Sequence, residues 1–145
     1  MQELINKIKN QFAISPEAEE YLFSIAREKK VAKGDILIRE GQRVNKIYFV
    51  KEGCLRSYCI DKNGKEHTLL FAIKDWWMSD YIAIHNNEPA NLMVDCLIDS
   101  TVLEFNAKKL SDSLNLFPEF EPFQRYTLER HVVSLQKRIL NQLQL

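Results

Sequence analysis

The chain is short of the residues that would make a metal centre, a secreted scaffold or a membrane span. Its three cysteines, Cys54, Cys59 and Cys96, are an odd number without Cys-x-x-Cys spacing. That argues against a disulfide framework or a zinc clip and for reduced, cytoplasmic thiols packed as small hydrophobes. The three histidines, His67, His85 and His131, come no closer than eighteen residues apart, so the His-x-His pair of a cupin-type metal enzyme is absent. Ser79 has no Gly-x-Ser-x-Gly setting and no evident base nearby in sequence. No catalytic residue, metal ligand or cofactor is expected, and the chain reads as a non-enzyme. No apolar run approaches the roughly 18 residues of a membrane helix. The opening MQELINKIKNQF is amphipathic and charged, with no signal-peptide core. Twenty basic and twenty acidic residues cancel, and no basic stripe offers a nucleic-acid surface. The expectation is a cytoplasmic protein with no membrane partner.

What is present is ordered in three parts, in a chain of 145 residues that suits one compact domain. Residues 1–29 read as helical: Leu4, Ile5, Ile8 and Phe12 recur at helical spacing, and Ser15-Pro16 starts a second helix with Ser15 as its cap. From 30 to 106 the period changes to two. Short strands are predicted at Asp35–Arg39, Lys46–Lys51, Leu55–Ile60, Glu66–Phe71, Asn91–Leu97 and Thr101–Phe105. Glycines mark the breaks, and Asn63-Gly64 reads as a hairpin turn with positive φ at both central residues. Many short strands without helical crossovers predict an antiparallel sandwich or barrel. A short helix is predicted over 107–116. A long one, from about 119 to 145 within a segment 117–145, carries Leu128, Val132, Leu135 and Ile139 at alternating spacings of four and three, the seam of a coiled coil. Val133, Leu140 and Leu143 widen the stripe. The helix either packs on its own domain or meets the same helix of a second copy.

One segment stands out: KDWWMSDYIAIHNNEPANLMVDC, Lys74 to Cys96. Of Trp76 and Trp77, either one fills the mouth of the sandwich and the other covers the helix at 119–130, or one of them walls an apolar ligand pocket with Leu70, Tyr81 and the start of the long helix. Ser79 and Asn91 would be its polar groups.

The segments VAKGDILIREGQRVNKIYFVKEGCLRSY and KNGKEHTLLFAIKDWW resemble the cyclic-nucleotide-binding domain of the Crp/Fnr transcription regulators of bacteria, over roughly residues 15 to 145. Gly34-Asp35 precedes the first strand, Glu40-Gly41 ends it, IYFVKEG marks the next and DSTVLEF closes the sheet. The resemblance implies a double-stranded β-helix (jelly roll) sensor domain over 1–116 and a dimerisation helix behind it. It also makes 74–96 the phosphate-binding cassette, whose usual form is Phe-Gly-Glu-Leu-Ala, a turn, then Arg-Ser/Thr-Ala. Here Ser79 stands for the glycine and Asp80 for the ribose-binding glutamate. Ala90 stands for the arginine, Asn91 for the hydroxyl residue, and Leu92 for the small one. Without the arginine a buried phosphate has no cation, and Asp80 and Asp95 are expected to add like charge. The cassette is therefore expected not to bind cyclic AMP or cyclic GMP, and the effector, if there is one, is unknown. The family includes iron–sulfur and haem sensors, but the first 53 residues hold no cysteine and the histidines are isolated. In the family a winged helix-turn-helix that reads DNA follows the long helix. The sequence given stops at Gln144-Leu145. The expectation is a homodimeric effector domain of such a regulator, reaching DNA only through a domain outside this chain. The other reading is a stand-alone ligand- or partner-binding module without DNA binding.

Overall fold

The computed structural model describes residues 1–143; Gln144 and Leu145, the end of the expected long helix, lie outside the described residues. In chain order the elements are α1 (Gln2–Gln11), α2 (Pro16–Ile25), β1 (Ala26–Val31), β2 (Ile36–Ile38), β3 (Lys46–Glu52), β4 (Leu55–Ile60), β5 (Glu66–Ala72) and β6 (Trp77–Met78). Then follow α3 (Tyr81–Asn86), β7 (Met93–Cys96), β8 (Ser100–Asn106), α4 (Ala107–Leu116), a 3-10 turn (Pro118–Phe120) and α5 (Glu121–Gln142). The chain divides into a β unit, Ile25–Leu110, and a helical unit of 1–24 and 111–145.

The β unit is the expected jelly roll. Its two four-stranded antiparallel sheets run β1-β8-β3-β6 and β2-β7-β4-β5. Alternation along each strand sends one set of side chains inward. Val31, Tyr48, Val50, Met78 and Val102 of the first sheet meet Ile38, Leu55, Ala72, Val94 and Cys96 of the second in a single buried cluster. Gly53 joins β3 to β4 at φ +108, where an added Cβ would collide with the side chain and backbone of Ser100. Only glycine suits both the dihedral and the space. Ser100 Oγ accepts from Cys54 N at 3.1 Å and donates to Ile98 O at 2.7 Å.

Three expectations need correction. The helical reading of 1–29 ends at Ile25, because Ala26–Val31 is a strand paired along its whole length with β8, from Ala26↔Phe105 to Val31↔Ser100. Arg27-Glu28-Lys29-Lys30 are all exposed, so this strand carries no alternation to read. The Asn63-Gly64 turn has positive φ at Gly64 but not at Asn63. Asp61 holds it instead, its Oδ1 accepting from Asn63 N at 2.8 Å and Lys65 N at 3.0 Å. Trp77–Met78, expected as loop, is a strand paired with β3.

In the helical unit Ser15 caps α2, its Oγ accepting from Ala18 N at 3.1 Å. Its backbone N–H donates to Glu119 Oε2 at 2.8 Å, which ties the start of α2 to the approach of α5. Phe12 stacks edge-on against Phe123 at 6.0 Å, and Tyr21 lies 5.6 Å from Phe117. Leu4, Ile5 and Ile8 are buried along α1.

Candidate functional site

The segment 74–96 is built on β3. Trp76 O accepts from Val50 N and Asp75 N donates to Val50 O, with Asp75 itself at φ 70. From there Trp77 and Met78 form β6, and the alternation of a strand separates neighbours. Met78 enters the inner cluster. Trp77, only 8% exposed, turns to the opposite face of the sheet, against Phe49 at 5.0 Å and Phe105 at 5.4 Å. Trp76 packs partly buried on the inner cluster. The two tryptophans thus serve different faces of one sheet, and Trp77 does not join the candidate pocket.

After β6 the polar residues are consumed internally. Ser79 Oγ donates to Lys46 O at 2.7 Å. Asp80, 1% exposed, caps α3, with Oδ1 accepting from Ala83 N at 3.1 Å and Oδ2 from Asn91 N at 2.7 Å. One carboxylate therefore joins the two limbs of the loop. Asn87 ends α3 in the left-handed region at φ 52, and Asn91 Nδ2 donates to Glu88 Oε1 at 3.1 Å. Ala90 is stitched to the loop after β2 on both sides: its N–H donates to Gln42 O, and its carbonyl accepts from Gly41 N. Its methyl is buried in the apolar cluster, against which Leu70, Trp76 and Leu92 also pack. Leu70, Trp76 and Ala90 thus all belong to or pack on one apolar cluster. Ser79, Asp80 and Asn91 form the polar frame of the loop, and Tyr81 stands 38% exposed on α3.

Asp95 does not add charge to this frame. It pairs across β4 and β7 with Arg56, which donates from Nε at 3.0 Å and Nη2 at 2.8 Å. Glu66 shares the guanidinium at 3.2 Å, and the Tyr58 ring lies 4.0 Å beneath it. The alternation of Arg56 and Tyr58 in LRSYCI was the available signal for this network. The links from Gly41 and Gln42 had none, because they join residues nearly fifty positions apart.

Cys54 is a poor candidate nucleophile: burial pushes its thiol above the ordinary value, and Cys96 and Asp95 act the same way. Among the described residues no group of three or more His, Cys, Asp or Glu could hold a metal ion. No described helix is long and apolar enough to cross a membrane. On α5, Leu128, Val132, Leu135 and Ile139 are 48%, 54%, 37% and 55% exposed.

The family profile described as the cyclic nucleotide-binding domain matches residues 28–115. A search of the curated proteins gave no match. The solved structures include similar folds at low identity. The sensor domain of the transcriptional regulator DNR from Pseudomonas aeruginosa is 18% identical with a TM-score of 0.67, over 86% of this chain and 81% of that one. A CooA mutant from Carboxydothermus hydrogenoformans is 21% identical with a TM-score of 0.70, over 89% and 80%. The regulatory subunit of a cAMP-independent protein kinase A from Trypanosoma brucei, as a triple mutant bound to cAMP, is 17% identical with a TM-score of 0.66. There the match covers 87% of this chain and 45% of that one.

Proposed function

The chain belongs to the cyclic nucleotide-binding domain family, and from that premise we propose that it is the sensing and dimerisation domain of a Crp/Fnr-type transcription regulator. In this reading its phosphate cassette does not take cyclic AMP or cyclic GMP. It works in the cytoplasm as a homodimer through α5, reaches DNA only through a helix-turn-helix domain, and carries no catalytic activity.

The observation that carries the reading is Ala90. At the position that matches the family's arginine, a methyl group is buried in the apolar core cluster. A phosphate there would meet hydrocarbon instead of a cation, and removing one partner of a buried charge pair costs several kcal/mol. Even about 3 kcal/mol lowers affinity more than a hundredfold. Asp80, at the ribose-binding position, already accepts two backbone N–H groups. The Trypanosoma relative points the same way: it is named cAMP-independent, and the mutant described bound to cAMP has an arginine introduced in place of a threonine among its three substitutions.

Calorimetry tests the reading directly. The protein gives no binding heat with either nucleotide up to high micromolar concentration; micromolar binding of either one overturns the proposal. The association surface rests on the exposed seam of α5, and Leu135→Glu sets like charges across it. The wild type runs at twice 17.1 kDa and the dilute variant at half the wild-type mass. An unchanged mass in dilute solution refutes the seam.

A further inference from the structure

β4 sends Leu55 and Ser57 to the inside of the roll. Leu55 lies in the inner cluster, and a residue two places on shares its face. Ser57 sits opposite Val94 of β7 and Leu70 of β5. The first belongs to that cluster and the second packs on it. Ser57 is 4% exposed. Other polar groups inside the roll are engaged: the Tyr48 hydroxyl bonds to Glu104, and the Cys96 thiol donates to Ile98 O at 2.7 Å. The Ser57 hydroxyl makes no hydrogen bond among the described residues. Nor is its oxygen sealed in by its neighbours: it borders a space that water can reach.

The surroundings of this hydroxyl are apolar. Leu70 stands beside Ser57 across the ladder, and Leu92 shares the face of Val94. Both pack on the cluster while staying partly open, and Ala90 adds a methyl to the same cluster. A water needs two or more polar partners, and Ser57 offers it one. An anion finds no free cation among the described residues here. Arg56 is turned to the outer face, on Asp95 and Glu66, and Lys29 and Lys46 are drawn to Glu104 at 3.7 and 3.9 Å. A cation fares no better, because that pairing engages Glu104 and Asp80 is bound to Ala83 and Asn91. Burying an unpaired charge is costly. The chemistry left is uncharged, and an apolar wall with one polar group is the common lining of a small-molecule site.

We propose that the space beside Ser57 binds a small uncharged organic molecule with an apolar body and one hydrogen-bonding group, which the Ser57 hydroxyl takes. This rests on the function proposed above and names the class of molecule that such a domain holds without a phosphate-binding cation. Leu55, Ser57, Leu70, Ala90, Leu92 and Val94 all lie in the β unit. Occupancy therefore steadies that unit and leaves pairing along α5 unchanged.

The test uses para-cresol, with toluene, which lacks the hydroxyl, and para-toluate, which carries a charge. Methyl NMR of the full chain follows Leu70, Leu92 and Val94 as each compound is titrated to millimolar concentration. Cresol shifts those methyls and raises the melting temperature, and toluate does neither. Ser57→Ala removes a hydroxyl that has no partner, so it melts no lower than the parent. It binds cresol about tenfold more weakly, while toluene binding stays as it was. Cresol that leaves these methyls unmoved overturns the proposal. So does toluate that binds as well as cresol, or a Ser57→Ala protein that holds cresol as tightly as the parent. The site and the function fail separately: cyclic AMP that binds sinks the function, and cresol that does not bind sinks the site.

Discussion

The β unit and α5 treat apolar side chains in opposite ways. In the β unit Val50, Leu55, Val94, Val102, Leu103 and Phe105 are all within 1% of complete burial. On α5 six large apolar residues, Leu128, Val132, Val133, Leu135, Ile139 and Leu140, are each more than a third exposed, as is Leu143 just beyond it. The sheets close on a core of their own. The helix presents a stripe that calls for another surface. If α5 is the association surface proposed above, stability is concentrated in one region and association in the other, and substitutions should separate the two.

The largest effect belongs to the β unit. Gly53→Ala forces a side chain against Ser100 at a dihedral that L residues rarely adopt. It should cost about 3 kcal/mol or more, seen as a lowered urea midpoint with unchanged α5 association in whatever remains folded. Asp80→Ala comes next. It leaves the buried Ala83 N–H unsatisfied, at about 1–3 kcal/mol, and frees the part-buried Asn91 N–H as well. Hydrogen exchange should quicken at Ala83 and Asn91 ahead of the strands. Leu135→Glu reverses the pattern: its melting temperature stays close to the wild type in dilute solution while its mass halves. If it melts as low as Asp80→Ala, the contrast between the two regions is lost.

The smallest effect is one of pH. Burial, with Arg130 adding to it, holds His131 below its ordinary value. The unfolded chain then takes up this proton first, at about 6.5. Stability is full above that pH and declines as pH falls from it to the lower value in the fold. His131→Gln should flatten that part of the profile, measured by urea midpoints across mildly acidic pH.

The sequence made much of this legible, and for stated reasons. KIYFVK and LRSYCI alternate because one face of each is buried, so β3 and β4 could be read directly. β1 could not, since all its middle residues face water and its pairing partner lies some seventy positions away. The residue at the cassette's arginine position was legible directly: Ala90 needs no structure to notice. The cassette's geometry was not. Two adjacent tryptophans did not say which of them faces the inner cluster; strand alternation at Trp77–Met78 places Trp76 there and Trp77 on the other face. The pairing of Ala90 with Gly41 and Gln42 is backbone to backbone and leaves no trace in residue type. Asp95 looked like an added negative charge until its cross-strand partner Arg56 came into view.

Asp80 has a consequence for what such a domain could respond to. A loop that must recruit an anion reports on the supply of that anion. This loop carries its own, encoded in the chain and already bound by Ala83 and Asn91. If the chain pairs along α5 as proposed, the variable left to govern that pairing is the number of copies, since association follows mass action. In that case synthesis and turnover of the chain would be the input, and dosage the message.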